Sequence, residues 1–406
     1  MRERILFITN LLPYPLDNGG KIKTFNTLKI LRRKYDIHLL CFVDSEHEKK
    51  YAKVLKELGI HTYCETKKIL LHNKPFKMAV EILKSILNGK PYVVSKYYSN
   101  IFNQKVSYYL NNNDYRFIYI DHLQQFQYIP KNILATCKNK IILEQHNVEF
   151  ILAKRYYQRS RNIFKKAIVF LEYLKLHHYE DRACQSAGLV FAITDRDKET
   201  LKNLCGNSIR LETSPSYIET NSDFRYQVDK NNSNKHILFL GTMSWYPNED
   251  GIIWFFNNVF LQIKALYPNI KLDIVGSNPG ENVLNLSRDK SVTITGYVED
   301  ITPYIAHALF SVVPIRIGGG MRIKILQLLA FGIPLVTTSI GCEGIPVTSD
   351  KEVLIADSED EFLFAVKRLL NDINLRKELS FNAIEFIRNN YSIGCASQKY
   401  ERIFNT

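Results

Sequence analysis

The sequence predicts an α/β chain built as two doubly wound domains in series. Three observations carry this. Short apolar runs alternate with longer amphipathic stretches, the pattern of parallel strands covered by helices. The runs fall into two sets, one in each half. Between them, residues 219–235 read ETNSDFRYQVDKNNSNK, rich in Asn and Ser and nearly free of aliphatic side chains. A chain of 406 residues is also too long for one hydrophobic core. The expected division is 1–217, a linker at 218–235, and 236–389, with 390–406 packing back on the first domain.

In the first half, strands are expected at 5–9, 37–43, 117–120, 141–144 and 189–193. The first is followed by NLLPYPLDNGGK, ending in Gly19 and Gly20, and then by a helix with Ile22, Phe25, Leu28 and Leu31 on one face. After the last comes TDRDKETL. Its Asp195-x-Asp197 has a spacing used for metal–nucleotide binding. Thr194 capping a helix with Asp197 in its first turn explains the same residues more simply.

In the second half, strands are expected at 237–240, 271–275, 292–295, 309–313 and 335–338. Asn248, in YPNEDG, reads as a helix cap near a strand end. Ser358 and Glu361 form a capping box that opens a helix through 370. Helical spacing continues through Leu379, Ile384 and Ile387, and 396–403 is expected to cross back to the first domain.

The composition limits the function classes. Seven scattered cysteines, odd in number and without a CxxC pair, fit reduced thiols in a cytosolic protein. The N-terminal apolar run is too short for a signal peptide, and no stretch is long enough to span a membrane. A cytoplasmic location follows as the expectation. The net charge of +13 favours an acidic partner. Residues 66–98 hold seven lysines against one glutamate, and 154–182 hold eight basic residues against three acidic ones. Both segments are helical by apolar spacing, with Met78, Ile82 and Ile86 on one face of the first. An anionic membrane surface would suit them, and solvated basic faces are the plainer reading. No recognised nucleic-acid motif is present, so no nucleic-acid partner is expected.

The most informative stretch is 313–336, VPIRIGGGMRIKILQLLAFGIPLV. It reads as a buried strand, three glycines, a helix from 321 to 331, and a second buried strand. Gly318, Gly319 and Gly320 let the backbone approach a ligand closely. The helix would aim its partly positive end at that spot. Arg322 and Lys324 fall in its first turn, where acidic residues are usual. A phosphate or diphosphate ligand explains them; a plain turn with solvated charges is the other reading. The spacing is neither GxxxxGK[ST] nor GxGxxG.

Several segments together resemble a known family: PYPLDNGGKIKTFN, EQHNVE, FLGTMSWYPNEDGIIWF, VTITGYVEDITPYI and PIRIGGGMRIKILQLLAFGIPLVTTSIGCEGI. They are similar, in this order, to retaining glycosyltransferases of the GT-B fold, family 4. The resemblance covers nearly the whole chain and is weakest at 50–110 and 150–185. It implies two Rossmann-like domains facing a cleft. It further implies transfer of a sugar from a nucleotide-diphosphate sugar to a glycan or lipid-linked acceptor, in bacterial surface polysaccharide synthesis at the inner membrane face.

The resemblance also assigns roles. Arg322 and Lys324 would hold the donor diphosphate, with the amides of Gly320 and Met321 and with Gly319 in the loop. Gly19 and Gly20 would approach the same phosphates. Gly276, Tyr297 and Val298 would flank the nucleobase. His146, after the 141–144 strand, would stand near donor sugar and acceptor, with Asn147, Glu149 and His122 as further sugar contacts. Where family members often carry two glutamates eight residues apart, this chain has Gly319 and Gln327. Gln327 can still accept a bond from a ribose hydroxyl, without charge, and Glu343 is a substitute carboxylate. The implied mechanism needs no metal and no cofactor, because protein cations serve the diphosphate. Two rivals stand beside it: a nucleotide-sugar epimerase on the same fold, and a non-catalytic nucleotide- or glycan-binding partner of another glycosyltransferase.

Overall fold

The computed structural model describes residues 2–68, 85, 88–159, 162–220, 226–228, 235–318 and 320–405. Gly319 and most of the basic segment at 66–98, including Met78, Ile82 and Ile86, lie outside the described residues. The chain divides into two compact units: Met1–Leu16 with Gly20–Pro215, and Asp17–Gly19 with Ser216–Thr406.

The first unit holds strands β1 (Arg4–Ile8), β2 (Asp36–Val43), β3 (His61–Thr66), β4 (Phe117–Asp121), β5 (Ile141–Glu144), β6 (Leu189–Ala192) and β7 (Leu211–Thr213). They form one parallel sheet in the order β3-β2-β1-β4-β5-β6-β7. Central β1 is buried on both faces from Ile5 to Ile8, as its unbroken apolar run requires. Helix α1 (Gly19–Leu31) follows β1, α2 (Glu149–Arg159) follows β5, α3 (Ile163–Gln185) leads into β6, and α4 (Asp195–Cys205) follows it. The Thr194 hydroxyl accepts from the Asp197 amide at 3.0 Å and caps α4, as expected.

The second unit holds β8 (His236–Leu240), β9 (Lys271–Val275), β10 (Val292–Gly296), β11 (Ala308–Val313), β12 (Leu335–Thr337) and β13 (Leu354–Ile355). The sheet is again parallel, in the order β10-β9-β8-β11-β12-β13. Helix α5 (Tyr246–Phe255) follows β8 and α6 (Ile323–Phe331) follows β11. Helices α7 (Glu359–Asn371), α8 (Ile373–Asn390) and α9 (Ile393–Asn405) close the chain. Ser358 and Glu361 form the full capping box at the start of α7. Inside the predicted linker, Tyr226 is buried and its hydroxyl donates to the Leu309 carbonyl at 2.6 Å.

Every strand expected from the apolar runs is present, within a residue or so at each end. The three that the runs did not indicate, β3, β7 and β13, lie at the sheet edges. β3 is partly exposed along its length, so its sequence, HTYCET, needs no apolar run. In each sheet the strand order reverses beside the first strand of the unit, between β1 and β4 and between β8 and β11. Loops beyond the carboxyl ends at such a reversal frame a crevice, the ordinary place for a ligand in this architecture.

Candidate functional site

At the β1/β4 reversal, the carboxyl ends of the strands bring together Thr9, Asn10, Asp121 and His122. Asp121 is fully buried, and four groups converge on it. The hydroxyls of Thr9 and of Thr24, on α1, donate to Oδ2 at 2.6 and 2.7 Å. His146 Nε2, from the loop after β5, lies 2.6 Å from Oδ1. His122 Nδ1 makes a looser ionic contact with Oδ2 at 3.2 Å. The two imidazole rings stack, with centroids 3.6 Å apart. His122 holds a backbone φ of +83°, which is costly for any residue but glycine.

The electrostatics follow from burial and this pairing. Burial pushes the Asp121 carboxyl up, but the two histidines more than reverse it and hold it well below the usual range. Burial opposes charge on His122, yet Asp121 outweighs it and the pKa rises. His146 is pulled down by burial and by the neighbouring His122. An ionised carboxylate can only accept, so the His146 Nε2 carries its hydrogen and, in the neutral ring, Nδ1 is the acceptor. Asp121, His122 and His146 place potential metal-ligand atoms within 4.8 Å of one another.

A second polar chain borders this cluster. Asn10 donates to Gln124 at 3.2 Å, and Gln124 donates to the Glu149 carboxylate at 3.1 Å. Burial raises the Glu149 pKa. Glu149 opens α2, and that helix start is held by Glu180 of α3, whose two oxygens accept from the amides of Glu149 and Phe150 at 3.1 and 2.9 Å. Burial lifts Glu180 to about 8. Asn147 is exposed in the same loop. Behind it, Glu144 forms a buried ion pair with Lys23 of α1 at 2.5 Å and accepts from Tyr119 and Ser214 at 2.7 and 3.0 Å.

At the β8/β11 reversal, the second unit presents its own cluster. Helix α6 begins at Ile323, two residues later than the spacing suggested, so Arg322 occupies the N-cap position in an extended conformation and Lys324 falls in the first turn. Gly318 and Gly320, with φ of +128° and +83°, shape the loop before it. Lys324 Nζ donates to the Leu240 carbonyl at 3.1 Å and to Asn248 Oδ1 at 2.6 Å. It also stands 4.8 Å over the Phe239 ring. Burial, with Arg322 alongside, pulls its pKa down to about 7. The Arg322 guanidinium lies over the Trp245 ring, 5.6 Å from its centroid.

Gly276, after β9, has φ +154°, and a Cβ there would stand 1.9 Å from the Gly241 carbonyl oxygen. No other residue fits. Tyr297, half exposed, and Val298 follow β10. Gln327 is half-buried on α6, and Glu343 half-buried in the loop after β12.

The structure thus gathers His122, His146 and Glu149 in one unit and Arg322 and Lys324 in the other. Sequence reading missed Asp121 altogether. Its signal was a carboxylate ending an apolar strand beside His122. Asn248 is not the cap of α5. Trp245 occupies that position, and Asn248 lies inside the helix, buried, with its side chain turned to Lys324. Nothing local in YPNEDG distinguishes a cap from an inward-facing amide.

Residues 234–372 match the family model Glycosyl transferases group 1. Over 402 residues the chain is 26% identical to an uncharacterized 44.6 kDa protein in the cps region of Klebsiella pneumoniae, covering 96% of each chain. Its fold is similar to that of sucrose-phosphate synthase from Thermosynechococcus elongatus, with TM-score 0.68, 14% identity and coverage of 100% and 98%. HepE of Anabaena, solved in complex with UDP, gives TM-score 0.68 at 12% identity, with 99% of each chain covered. The two parallel sheets are those of the GT-B fold.

Proposed function

From a group 1 glycosyltransferase domain over residues 234–372, on a GT-B fold, we propose that this chain transfers a sugar from a nucleotide-diphosphate sugar to a glycan or lipid-linked acceptor, with retention of configuration. The observation that carries the reading is the cluster at the β8/β11 reversal. A half-buried lysine, a buried arginine beside it and a helix start converge where a phosphate would bind in such a sheet.

Lys324 and Arg322 would neutralise the charge that grows on the departing diphosphate. Protein cations in that role leave no task for a metal ion, and the reaction is proposed to be metal-independent. Gly276, Tyr297 and Val298, which follow β9 and β10 at their carboxyl ends, are assigned to the nucleobase, and Gln327 to the ribose. In the first unit, His146 with its acceptor Nδ1, Glu149, Asn147 and His122 are assigned to sugar hydroxyls. The retaining course needs no protein nucleophile, since the leaving phosphate oxygen takes the acceptor's proton as the new bond forms on the same face.

The relative in a cps region supports a place in polysaccharide synthesis. The exposed apolar side chains of α3, with Lys165 among them, support a cytoplasmic protein seated on an anionic membrane face. A second reading, a non-catalytic partner of another glycosyltransferase, is favoured by Gln327 standing where a carboxylate is usual.

Thermal stabilisation by UDP, GDP, ADP, CMP and dTDP tests the proposal. Selective stabilisation by one diphosphate, lost in Lys324→Ala, is the expected result. Transfer from the matching nucleotide-sugar then separates catalyst from partner. Stabilisation by none of them would overturn the donor-site reading.

A further inference from the structure

We infer that Asn248 is a positioning residue for the donor phosphates: its side-chain amide fixes the Lys324 ammonium in the place where the diphosphate meets it. The inference rests on the donor-site reading above and concerns a residue which that reading does not use.

A lysine is a compact charge on a four-carbon stem, and it is useful to catalysis only when something holds it. Here two acceptors do. The Leu240 carbonyl, at the carboxyl end of β8, takes one N–H at 3.1 Å, and Asn248 Oδ1 takes another at 2.6 Å. Among the described residues these account for two of the three N–H donors, and the third is what a phosphate oxygen would meet. Asn248 is itself fixed. Its Nδ2 donates to the Thr242 carbonyl at 2.8 Å, and a carbonyl only accepts, so the amide oxygen must be the atom that faces Lys324.

The chemistry selects asparagine. Aspartate would set two acceptors against the Thr242 carbonyl and put a charge beside the ammonium that competes with phosphate. Alanine would supply neither bond. Asn248 is 4% exposed, and the room for it is made by glycine. A Cβ at Gly241 would lie 2.7 Å from Asn248 Nδ2, and one at Gly276 would strike the Gly241 carbonyl. Gly276, Gly241, Asn248 and Lys324 therefore form one packed series across β9, β8, α5 and α6. The only charged side chain acting on Lys324 among the described residues is Arg322.

The test compares Asn248→Ala, Asn248→Asp and Lys324→Ala with the unaltered chain by calorimetric titration. The probes are UDP, GDP, ADP and dTDP, each set against its own nucleoside. Asn248→Ala is expected to weaken the preferred diphosphate roughly tenfold while leaving the nucleoside unchanged. The alkaline limit of diphosphate binding should move to lower pH in Asn248→Ala, which removes an acceptor from the ammonium. It should move to higher pH in Asn248→Asp, which adds a negative charge beside it.

A merely structural asparagine would lower nucleoside and diphosphate binding together and leave the pH limit in place, and that result overturns the inference. So does a normal diphosphate affinity in Asn248→Ala when Lys324→Ala has lost it. If Lys324→Ala also binds normally, or the unaltered chain binds no diphosphate, the donor-site reading fails, and this inference fails with it.

Discussion

Lys324 carries a charge that its surroundings partly oppose. Burial and the neighbouring Arg322 bring its pKa to about 7, so near neutrality the empty site is close to half protonated. On the proposed reading a diphosphate would bind the charged form and raise that pKa again. The sign follows. Affinity is full below the pKa of the empty site and falls as pH rises above it, with a proton taken up on binding in that range. Titration of the preferred nucleoside diphosphate from about pH 6 to about pH 9 should show a steady loss of affinity above about pH 7. A flat profile would mean that Lys324 does not meet the phosphates. Asp121 is the counter-example at this scale. Its charge is secured by two histidines and two hydroxyls, so over the same range it stays an acceptor and keeps His146 in one tautomer.

Among the elements, α1 and α3 hold the first unit's loops in place through buried ionisable side chains. Lys23 of α1 reaches Glu144 at the end of β5, just before the His146 loop, and donates as well to the Ser214 carbonyl at 2.7 Å. Both partners are almost wholly buried, at 2% and 0% exposure, so each is tolerable only with the other. Lys23→Ala should destabilise the protein by about 3–5 kcal/mol, because it leaves the buried Glu144 without its cation, with only the Tyr119 and Ser214 hydroxyls as partners. Adding Glu144→Leu should recover much of that loss. Denaturant melts of the single and double variants measure both. If the single variant melts like the unaltered chain, the pair is not load-sharing in this way. Glu180 of α3 acts similarly at the start of α2, where its carboxyl, lifted to about 8 by burial, accepts two backbone amides.

For the whole molecule, the charge of +13 needs an explanation that the two crevices do not exhaust. No helix among the described residues is long and apolar enough to cross a membrane. Helix α3 nonetheless exposes Ile163, Ile168, Leu171 and Leu174, at 81, 45, 49 and 46%. Apolar side chains beside lysines on one helix suit the boundary between anionic headgroups and acyl chains. The protein should float with vesicles containing phosphatidylglycerol at low salt. It should return to the soluble fraction when salt is raised or when Leu171 and Leu174 are replaced by glutamate. Retention in the soluble fraction at low salt would dismiss the membrane role.

The sequence by itself determined the two parallel sheets, because a central parallel strand must be apolar on both faces and so writes itself as an unbroken run. It determined the cap at Thr194 and the capping box at Ser358, since each depends on residues three apart. It also marked Arg322 and Lys324, as basic residues where a helix start disfavours them. Only the tertiary structure decided the edge strands β3, β7 and β13, which are short or only partly buried and so impose no unbroken apolar run. Only it decided that Asp121 anchors two histidines and that Asn248 faces Lys324 rather than capping α5. Those pairings join positions 25 and 76 residues apart. They exist because strand order brings distant carboxyl ends side by side, and no local spacing records which ends will meet.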